Sequence, residues 1–196
     1  ESRKFYAEVI LDEANKMDKL VKQLLELMKL EYDNREFDNK DIDIVELIKE
    51  VIRKTSVMIE DGNFKVEFNM KKPIYIYADD FYIDQVVTNY ITNAIKNVEE
   101  INGKKQIKVE VNKIKDDKVR VSVFNTGKNI DEDKIERIWT RFYKLDESRD
   151  RQKGGSGIGL SIVKAIMNRY GQNYGVMNKK DGVEFYFDCL NAKNIK

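Results

Sequence analysis

The sequence predicts an α+β fold: a two-layer sandwich with helices on one face of a mixed, mostly antiparallel sheet, preceded by one long helix. Two observations lead to this prediction. After residue 37, segments that alternate apolar and polar residues come in pairs around short turns, and helical segments interrupt them without the regular strand–helix–strand order of a parallel sheet. Before residue 38, a single helical period continues from Phe5 to Asp33.

The segment from Phe5 to Asp33 is predicted to be a bundle-forming helix. Its apolar residues recur at alternating spacings of three and four, which gives the heptad seam Ala7, Ile10, Ala14, Met17, Val21, Leu24 and Met28. Leu20, Leu25 and Leu27 widen this stripe, so the helix must pack on another surface. The following domain could supply that surface, but a helical bundle suits the heptad better. The polar stretch 31–40 is predicted to be a linker, with the domain boundary after residue 37.

The second unit, residues 38–196, is predicted to contain three strand pairs and three main helices. Asp43 is a candidate N-cap of the first helix, and Asp79 or Asp80 of a second helix that ends near Val98. A short amphipathic helix is expected further along, with Trp139 and Phe142 as core residues. The strand pairs are expected to be 64–68 with 74–77, 107–114 with 119–124, and 174–178 with 183–190.

Composition limits the chemistry that the chain can perform. Its 196 residues include no histidine and one cysteine, so a histidine base, a histidine metal ligand and an internal disulfide are excluded. The net charge of +1 gives no reason to expect a nucleic-acid partner. An apolar run of about 18 residues, the length that crosses a bilayer, is absent from the sequence. Any catalysis must therefore rest on Asn, Asp, Glu, Lys, Arg and backbone groups.

The glycine-rich stretch 154–160 is a candidate phosphate-binding loop. Its glycines let backbone N–H groups turn toward an anion, and the helical pattern that begins at Leu160 adds the positive end of a helix dipole. The spacing matches neither a Walker loop nor a Rossmann loop. A flexible loop that caps a helix would have the same composition, so the motif alone leaves both interpretations open.

A row of asparagines marks the helix that ends near Val98. Asn89, Asn93 and Asn97 are spaced by four residues and lie on one face, with Lys96 beside them. Asparagine is unfavourable inside a helix, because its amide competes for backbone hydrogen bonds. A solvated stripe is one explanation. The other is a row of amide oxygens that faces a hard cation such as Mg²⁺, with Lys96 facing phosphate.

Four segments combine into a recognisable set of motifs: 84–97 (DQVVTNYITNAIKN), 125–130 (NTGKNI), 138–144 (IWTRFYK) and 155–160 (GSGIGL). They resemble, in that order, the N box, first glycine box, F box and second glycine box of the sensor histidine kinases of two-component systems. The long helix is similar to the second helix of that family's dimerisation and phosphotransfer hairpin. The resemblance covers nearly the whole chain and is closest to membrane sensors of the VanS or PhoR type.

The resemblance implies a Bergerat-type (GHKL) fold with a site for ATP and Mg²⁺. By that match Asn93 is the Mg²⁺ ligand and Lys96 contacts the triphosphate, which makes these two the candidate catalytic residues. The basic segment 144–154 is the implied ATP lid. The implied nucleotide-binding residues are Asn89, Asn93, Lys96, Asn97, Asn125, Gly127, Ile130, Tyr143, Lys144, Gly155, Ser156, Gly157, Ile158, Gly159, Leu160 and Val183.

Three departures from the family pattern lie near the implied adenine site. Asn125 replaces an aspartate that accepts a hydrogen bond from the adenine amino group, so the bond loses its charge assistance. Asn129 replaces the second glycine of its box, and Val183 replaces a threonine that helps to order water. We therefore expect nucleotide binding to survive with weaker adenine discrimination.

The resemblance implies transfer of the ATP γ-phosphoryl group to a histidine, followed by relay to an aspartate of a response regulator. That histidine is absent from this chain, so the chain alone should not autophosphorylate. The expectation is a cytoplasmic portion of a bacterial plasma-membrane sensor that forms a homodimer through the hairpin helices. Two alternatives stay open: an ATPase of the same fold, which would carry a glutamate in place of Asn89, and a degenerate nucleotide-binding or dimerisation module.

Overall fold

The computed structural model describes residues 2–32, 36–115, 117–145 and 156–192. The helices are α1 (Ser2–Tyr32), α2 (Ile44–Lys54), α3 (Ser56–Asp61), α4 (Asp80–Asn97) and α5 (Gly159–Tyr170). The strands are β1 (Lys40–Asp43), β2 (Lys65–Glu67), β3 (Tyr75–Ala78), β4 (Gln106–Ile114), β5 (Lys118–Thr126), β6 (Tyr174–Lys179) and β7 (Gly182–Leu190). Two 3₁₀ turns, Glu132–Lys134 and Arg137–Trp139, precede α5.

The main sheet has five strands in the order β2-β4-β5-β7-β6. Its pairs are antiparallel except β2 with β4, which is parallel, so the predicted mixed and mostly antiparallel sheet is confirmed. Helix α4 packs against β5, and α2 and α5 contact α4 from the sides. Tyr90 of α4 is fully buried and donates its hydroxyl hydrogen bond to the carbonyl oxygen of Tyr186 on β7, 3.1 Å away.

Both predicted aspartate caps are confirmed. The Asp43 carboxylate accepts a hydrogen bond from the Val45 amide at 3.0 Å, and Asp79 accepts one from the Phe81 amide at 3.0 Å. Each cap satisfies an N–H group that the first helical turn leaves without a partner. Asp79 thus fixes the start of α4, the helix that carries the asparagine row.

The predicted hairpin between residues 64–68 and 74–77 is wrong. Strand β2 instead pairs in parallel with β4, and β3 pairs with β1, where Ile76 lies opposite Ile42. The sequence pattern did not predict β1, because it has four residues of which three are charged. Asp43 stabilises the observed pairing, since its carboxylate also accepts a hydrogen bond from the Ile74 amide at 3.2 Å.

One part of the apolar stripe of helix α1 packs on the domain and the other part is exposed. Leu27 is fully buried and Leu30 nearly so, and this end of α1 packs on α5. Six of the seven heptad-seam residues are exposed, and Leu24 is half-buried. The domain therefore covers one edge of the stripe and leaves the seam available, so bundle formation stays a prediction. Within the described residues, no helix is both long and apolar enough to span a membrane.

The segment that follows α1 is held on the domain by an aromatic cluster. The Phe37 ring lies between Tyr82 and Tyr170, with ring centroids 4.4 and 4.5 Å away, and the Arg169 guanidinium lies 4.6 Å from its centroid. The Asp38 amide donates a hydrogen bond to the Asp79 carboxylate at 3.0 Å. Burial in this cluster raises the pKa of the Tyr170 hydroxyl. Phe37 and Asp38, which lie on either side of the predicted domain boundary, both contact the second unit. The boundary after residue 37 stays a prediction.

Candidate nucleotide-binding site

A cleft of about 420 Å³ opens between α4, the loop after β5, the 3₁₀ turns, the start of α5 and β7. Most of the residues predicted to bind nucleotide line this one cleft, although they are far apart in sequence. Those that line it are Asn89, Asn93, Lys96, Asn97, Asn125, Ile130, Tyr143, Lys144, Ser156, Gly157, Gly159, Leu160 and Val183. Gly127 and Ile158 lie beside the cleft without being part of its lining, and Gly155 lies outside the described residues.

The asparagine row faces the cleft with its amides held in defined orientations. The Asn97 amide nitrogen donates to both the side-chain oxygen and the backbone oxygen of Asn93, at 3.0 and 2.9 Å. The Asn89 amide nitrogen donates to the backbone oxygen of Gln85 at 2.9 Å. The engaged nitrogen of Asn89 leaves its side-chain oxygen as the group that can accept or ligate. The Asn93 side-chain oxygen is held by the bond from Asn97 and keeps a second lone pair for a ligand.

The glycine end of the cleft, formed by residues 156–160, depends on close backbone approach. Gly157 has φ +70, and a Cβ there would lie 2.9 Å from the Cα of Phe142. A Cβ on Gly159 would lie 2.5 Å from the side-chain oxygen of Asn89. The Phe142 amide also donates to the Gly157 carbonyl oxygen at 2.9 Å. Glycine at both positions therefore lets this loop pack directly on α4 and on the chain at residue 142.

Phe142 is not the core residue that the sequence predicts. Its side chain is 53% exposed and its φ is +61, so the backbone turns the ring away from the core where the chain meets Gly157. Trp139 is buried as predicted and packs edge-on against Tyr174, with ring centroids 4.9 Å apart. The predicted amphipathic helix around these residues is replaced by the two 3₁₀ turns.

The sheet end of the cleft contains Asn125, Ile130 and Val183. Asn125 is only 3% exposed, and its amide nitrogen donates to the backbone oxygen of Thr126 at 3.1 Å and of Asn97 at 3.5 Å. These two carbonyls fix the orientation of the amide, which leaves its oxygen as the group that can accept a hydrogen bond from a ligand. Val183 lies opposite Asn125 in the β5–β7 ladder.

Several cleft residues were not predicted from the sequence. Gln23 of α1 lines the cleft and accepts a hydrogen bond from the Ser156 hydroxyl at 2.9 Å. Nothing in the apolar period of α1 indicates such a role for a polar residue. The other unpredicted lining residues are Thr92, Glu99, Lys128, Asp131, Lys134, Ile138, Leu145 and Phe185. Asn129, which was expected near the adenine site, lines the cleft as well.

The charge of the cleft favours an anionic ligand. Lys96, Lys128, Lys134 and Lys144 all line it. A hydrogen bond to Asp131 raises the pKa of the Lys134 ammonium group, which keeps this lysine protonated. Among the described residues, no cluster of three or more His, Cys, Asp and Glu side chains could hold a metal on its own. A metal here would depend on amide oxygens, water and the ligand, which is the usual environment of nucleotide-bound Mg²⁺.

Residues 78–193 match the family of histidine kinase-, DNA gyrase B-, and HSP90-like ATPases. The chain belongs to this family. It is an ATP-binding catalytic domain of the type that sensor histidine kinases of two-component systems carry, and the predicted GHKL fold is confirmed.

Two curated relatives are sensor proteins of this type. The chain is 31% identical over 166 residues to the sensor histidine kinase WalK of Bacillus subtilis (strain 168), an alignment that covers 83% of this chain and 26% of WalK. It is 27% identical over 174 residues to the sensor protein VanSB of Enterococcus faecalis (strain ATCC 700802 / V583), covering 89% of this chain and 38% of VanSB. The chain thus spans about a quarter to two-fifths of the length of these relatives.

A solved structure extends the similarity to α1. The histidine kinase ThkA, in complex with the response regulator protein TrrA, matches 97% of this chain with a TM-score of 0.69 and 27% sequence identity. The match covers 52% of the ThkA chain. The long helix and the catalytic domain therefore both have counterparts in one histidine kinase.

Proposed function

We propose that this protein binds ATP with Mg²⁺ and presents the γ-phosphoryl group to a histidine of the longer protein's dimerisation domain, for relay to an aspartate of a response regulator. The observation that carries the proposal is the meeting of the asparagine row with the glycine end in one lysine-lined cleft. Phosphoryl transfer of this kind needs positioning and charge neutralisation more than covalent chemistry from the protein.

The two ends of the cleft suit the two parts of a nucleotide. Phosphates would lie at the glycine end, where α5 starts at Gly159 and no side chain caps its first turn. The base would lie at the sheet end, where Asn125 can accept from the adenine amino group. Lys96 would neutralise developing charge on the triphosphate, and Tyr143 and Lys144 would approach from the F box.

Asn93 is the proposed Mg²⁺ ligand. Its side-chain oxygen already accepts from Asn97 at 3.0 Å, which holds the amide in one orientation and leaves a lone pair for the metal. A Mg²⁺ ion held by Asn93 would supply charge neutralisation for the phosphates. Asn97 would therefore orient the Asn93 side chain for metal binding without contacting the metal itself.

The geometry favours kinase over ATPase chemistry. The Asn89 amide nitrogen is bonded to the Gln85 carbonyl, and its oxygen lies against Gly159. An amide cannot take a proton from water as a glutamate would, so steady-state hydrolysis by this chain should be slow. The open and specifically lined cleft argues against a degenerate module.

Two partners are proposed, a second copy of the protein and a response regulator. The exposed heptad seam of α1 suits a homodimer through hairpin helices. A response regulator is the proposed phosphoryl acceptor, in keeping with the complex that ThkA forms with TrrA. We place the chain in the cytoplasmic portion of a bacterial plasma-membrane sensor, since VanSB and WalK are sensor proteins.

Calorimetric titration separates these functions. We expect ADP with Mg²⁺ to bind at one site, and Asn93→Ala to remove the Mg²⁺ contribution to affinity. The matched control is Asn112→Ala, because Asn112 is exposed on β4 away from the cleft. Rapid steady-state ATP turnover would favour the ATPase alternative. Because this chain has no histidine, stable incorporation of label from γ-labelled ATP into the chain would contradict the proposal.

A further inference from the structure

The loop that follows β5, residues 127–130, is tied to the β6–β7 hairpin by five hydrogen bonds. The Gly127 amide donates to the Asp181 carbonyl oxygen at 3.1 Å. The Asn129 side-chain amide is assigned with its nitrogen toward the hairpin, because only acceptors face it there, and in this orientation it donates to the carbonyl oxygens of Lys179 at 3.0 Å and of Gly182 at 2.9 Å. The remaining two bonds join Ile130 to Asn178, and no short-range sequence pattern predicted any of the five.

Asn178 binds Ile130 in the way that a neighbouring strand would. The Ile130 amide donates to the Asn178 side-chain oxygen at 2.9 Å, and the Asn178 side-chain nitrogen donates to the Ile130 carbonyl oxygen at 2.7 Å. The side-chain amide therefore satisfies both backbone groups of one residue. Such a reciprocal pair fixes the backbone position of Ile130 as well as its orientation.

The strand register connects this pair to the sheet end of the cleft. Asn125 pairs with Val183 across β5 and β7, and Val183 pairs with Asn178 across β7 and β6. Asn125, Val183 and Asn178 therefore form one row across the sheet. Because Asn178 holds Ile130 beside this row, the position of Ile130 relative to the acceptor oxygen of Asn125 is set by a residue that does not line the cleft.

We propose that Asn178 is a positioning residue for recognition of the nucleotide base, with Asn129 as its support. Ile130 and Val183 are apolar residues that line the cleft beside Asn125, and they suit the faces of a planar base. Base binding then depends on the distance between Ile130 and the acceptor oxygen of Asn125, which Asn178 fixes. Asn129, which replaces a glycine of the family motif, contributes two hydrogen bonds that a glycine cannot make. This inference rests on the proposed nucleotide site.

The test compares a ligand that has a base with one that has none. Asn178→Ala should weaken ADP·Mg²⁺ binding by about tenfold, the amount expected from two lost hydrogen bonds. Binding of inorganic tripolyphosphate with Mg²⁺ should stay within about twofold. Hydrogen exchange of the Ile130 amide should quicken in the same variant, while exchange in β4 stays unchanged. Asn112→Ala is the control variant.

Two further variants keep the test independent of folding. Asn178→Asp retains the acceptor for the Ile130 amide but turns an anionic oxygen toward the Ile130 carbonyl. Its ADP affinity relative to the unmodified chain should rise as the pH falls, because the protonated carboxyl can again donate. Asn129→Gly removes the supporting pair of bonds and should weaken ADP binding by a smaller factor than Asn178→Ala.

The outcomes separate this inference from the proposed function. Failure of the unmodified chain to bind ADP would overturn both. Normal ADP binding by Asn178→Ala, with rapid exchange of the Ile130 amide, would overturn the inference alone. Equal losses for ADP and tripolyphosphate would also overturn it, since they would show a general rather than a base-specific effect.

Discussion

The two ends of the cleft are built by different means. At the glycine end, backbone approaches backbone and α4 closely. Gly157 has a φ of +70 and no room for a Cβ beside the Phe142 backbone, and a Cβ at residue 159 would displace the side-chain oxygen of Asn89. At the sheet end, the side-chain amides of Asn125, Asn129 and Asn178 form hydrogen bonds to backbone groups of residues distant in sequence. The glycines of the first arrangement are visible as a local sequence motif, whereas the hydrogen bonds of the second, including those of Asn178, depend on partners that only the fold brings together.

The largest expected effect comes from filling the glycine end. Gly157→Ala combined with Gly159→Ala should abolish detectable ADP binding, a loss of at least about 30-fold. Alanine in the left-handed conformation of residue 157 costs about 1–2 kcal/mol and its Cβ meets the Phe142 backbone, while a Cβ at residue 159 displaces the Asn89 side chain. Circular dichroism is the control that the double variant retains its fold. Unchanged ADP affinity in the double variant would show that this loop does not bind the phosphates.

A slightly smaller effect should separate the metal from the phosphates. Asn93→Ala should lower ADP affinity by about tenfold or more in Mg²⁺, because a direct ligand is lost, and by little when EDTA removes the metal. Titrations in the two buffers measure the difference. An equal loss in both buffers would show that Asn93 contacts nucleotide directly rather than through the metal.

The sheet end should affect the choice of base rather than phosphate binding. Asn125→Ala should weaken ADP by about fivefold while GDP affinity changes less, because the lost oxygen accepts from an amino group that guanine does not present at that position. Competition of both nucleotides against a fluorescent ADP analogue measures the ratio. Equal loss of ADP and GDP affinity would show that Asn125 instead stabilises the structure of the loop.

The smallest effect is expected where α1 meets the glycine end. The Ser156 hydroxyl donates to Gln23 and its oxygen accepts from the Ile158 amide at 3.3 Å, so a phosphate must compete for these groups. Gln23→Ala should therefore raise ADP affinity by about two- to threefold. Lys19→Ala, an exposed substitution on the same helix, is the control. A lower ADP affinity in Gln23→Ala would indicate that Gln23 supports the ligand.

The sequence was sufficient for features that local patterns encode. The long helix, the asparagine row, the two aspartate caps and the antiparallel pairs of β4 with β5 and β6 with β7 all follow from periodicity and turn residues. The glycine end was also predictable, because close backbone approach demands glycine at fixed positions.

Features that depend on distant partners were not predictable in the same way. Strand β1 is short and charged, and it forms because it pairs with β3 and because the carboxylate of its Asp43 accepts a hydrogen bond from the Ile74 amide. Phe142 is exposed because Gly157 engages its backbone, although its residue type suggests burial. Asn178 looks like an ordinary strand residue until the fold brings Ile130 beside it.

Titration of the unmodified chain with ADP and Mg²⁺ shows whether the cleft binds nucleotide at all. Our expectation is saturable heat at one site, a rise in melting temperature that grows with ADP concentration, and weaker binding when EDTA is present. Absence of both heat and thermal shift at millimolar ADP would contradict it and would leave the cleft without a nucleotide function.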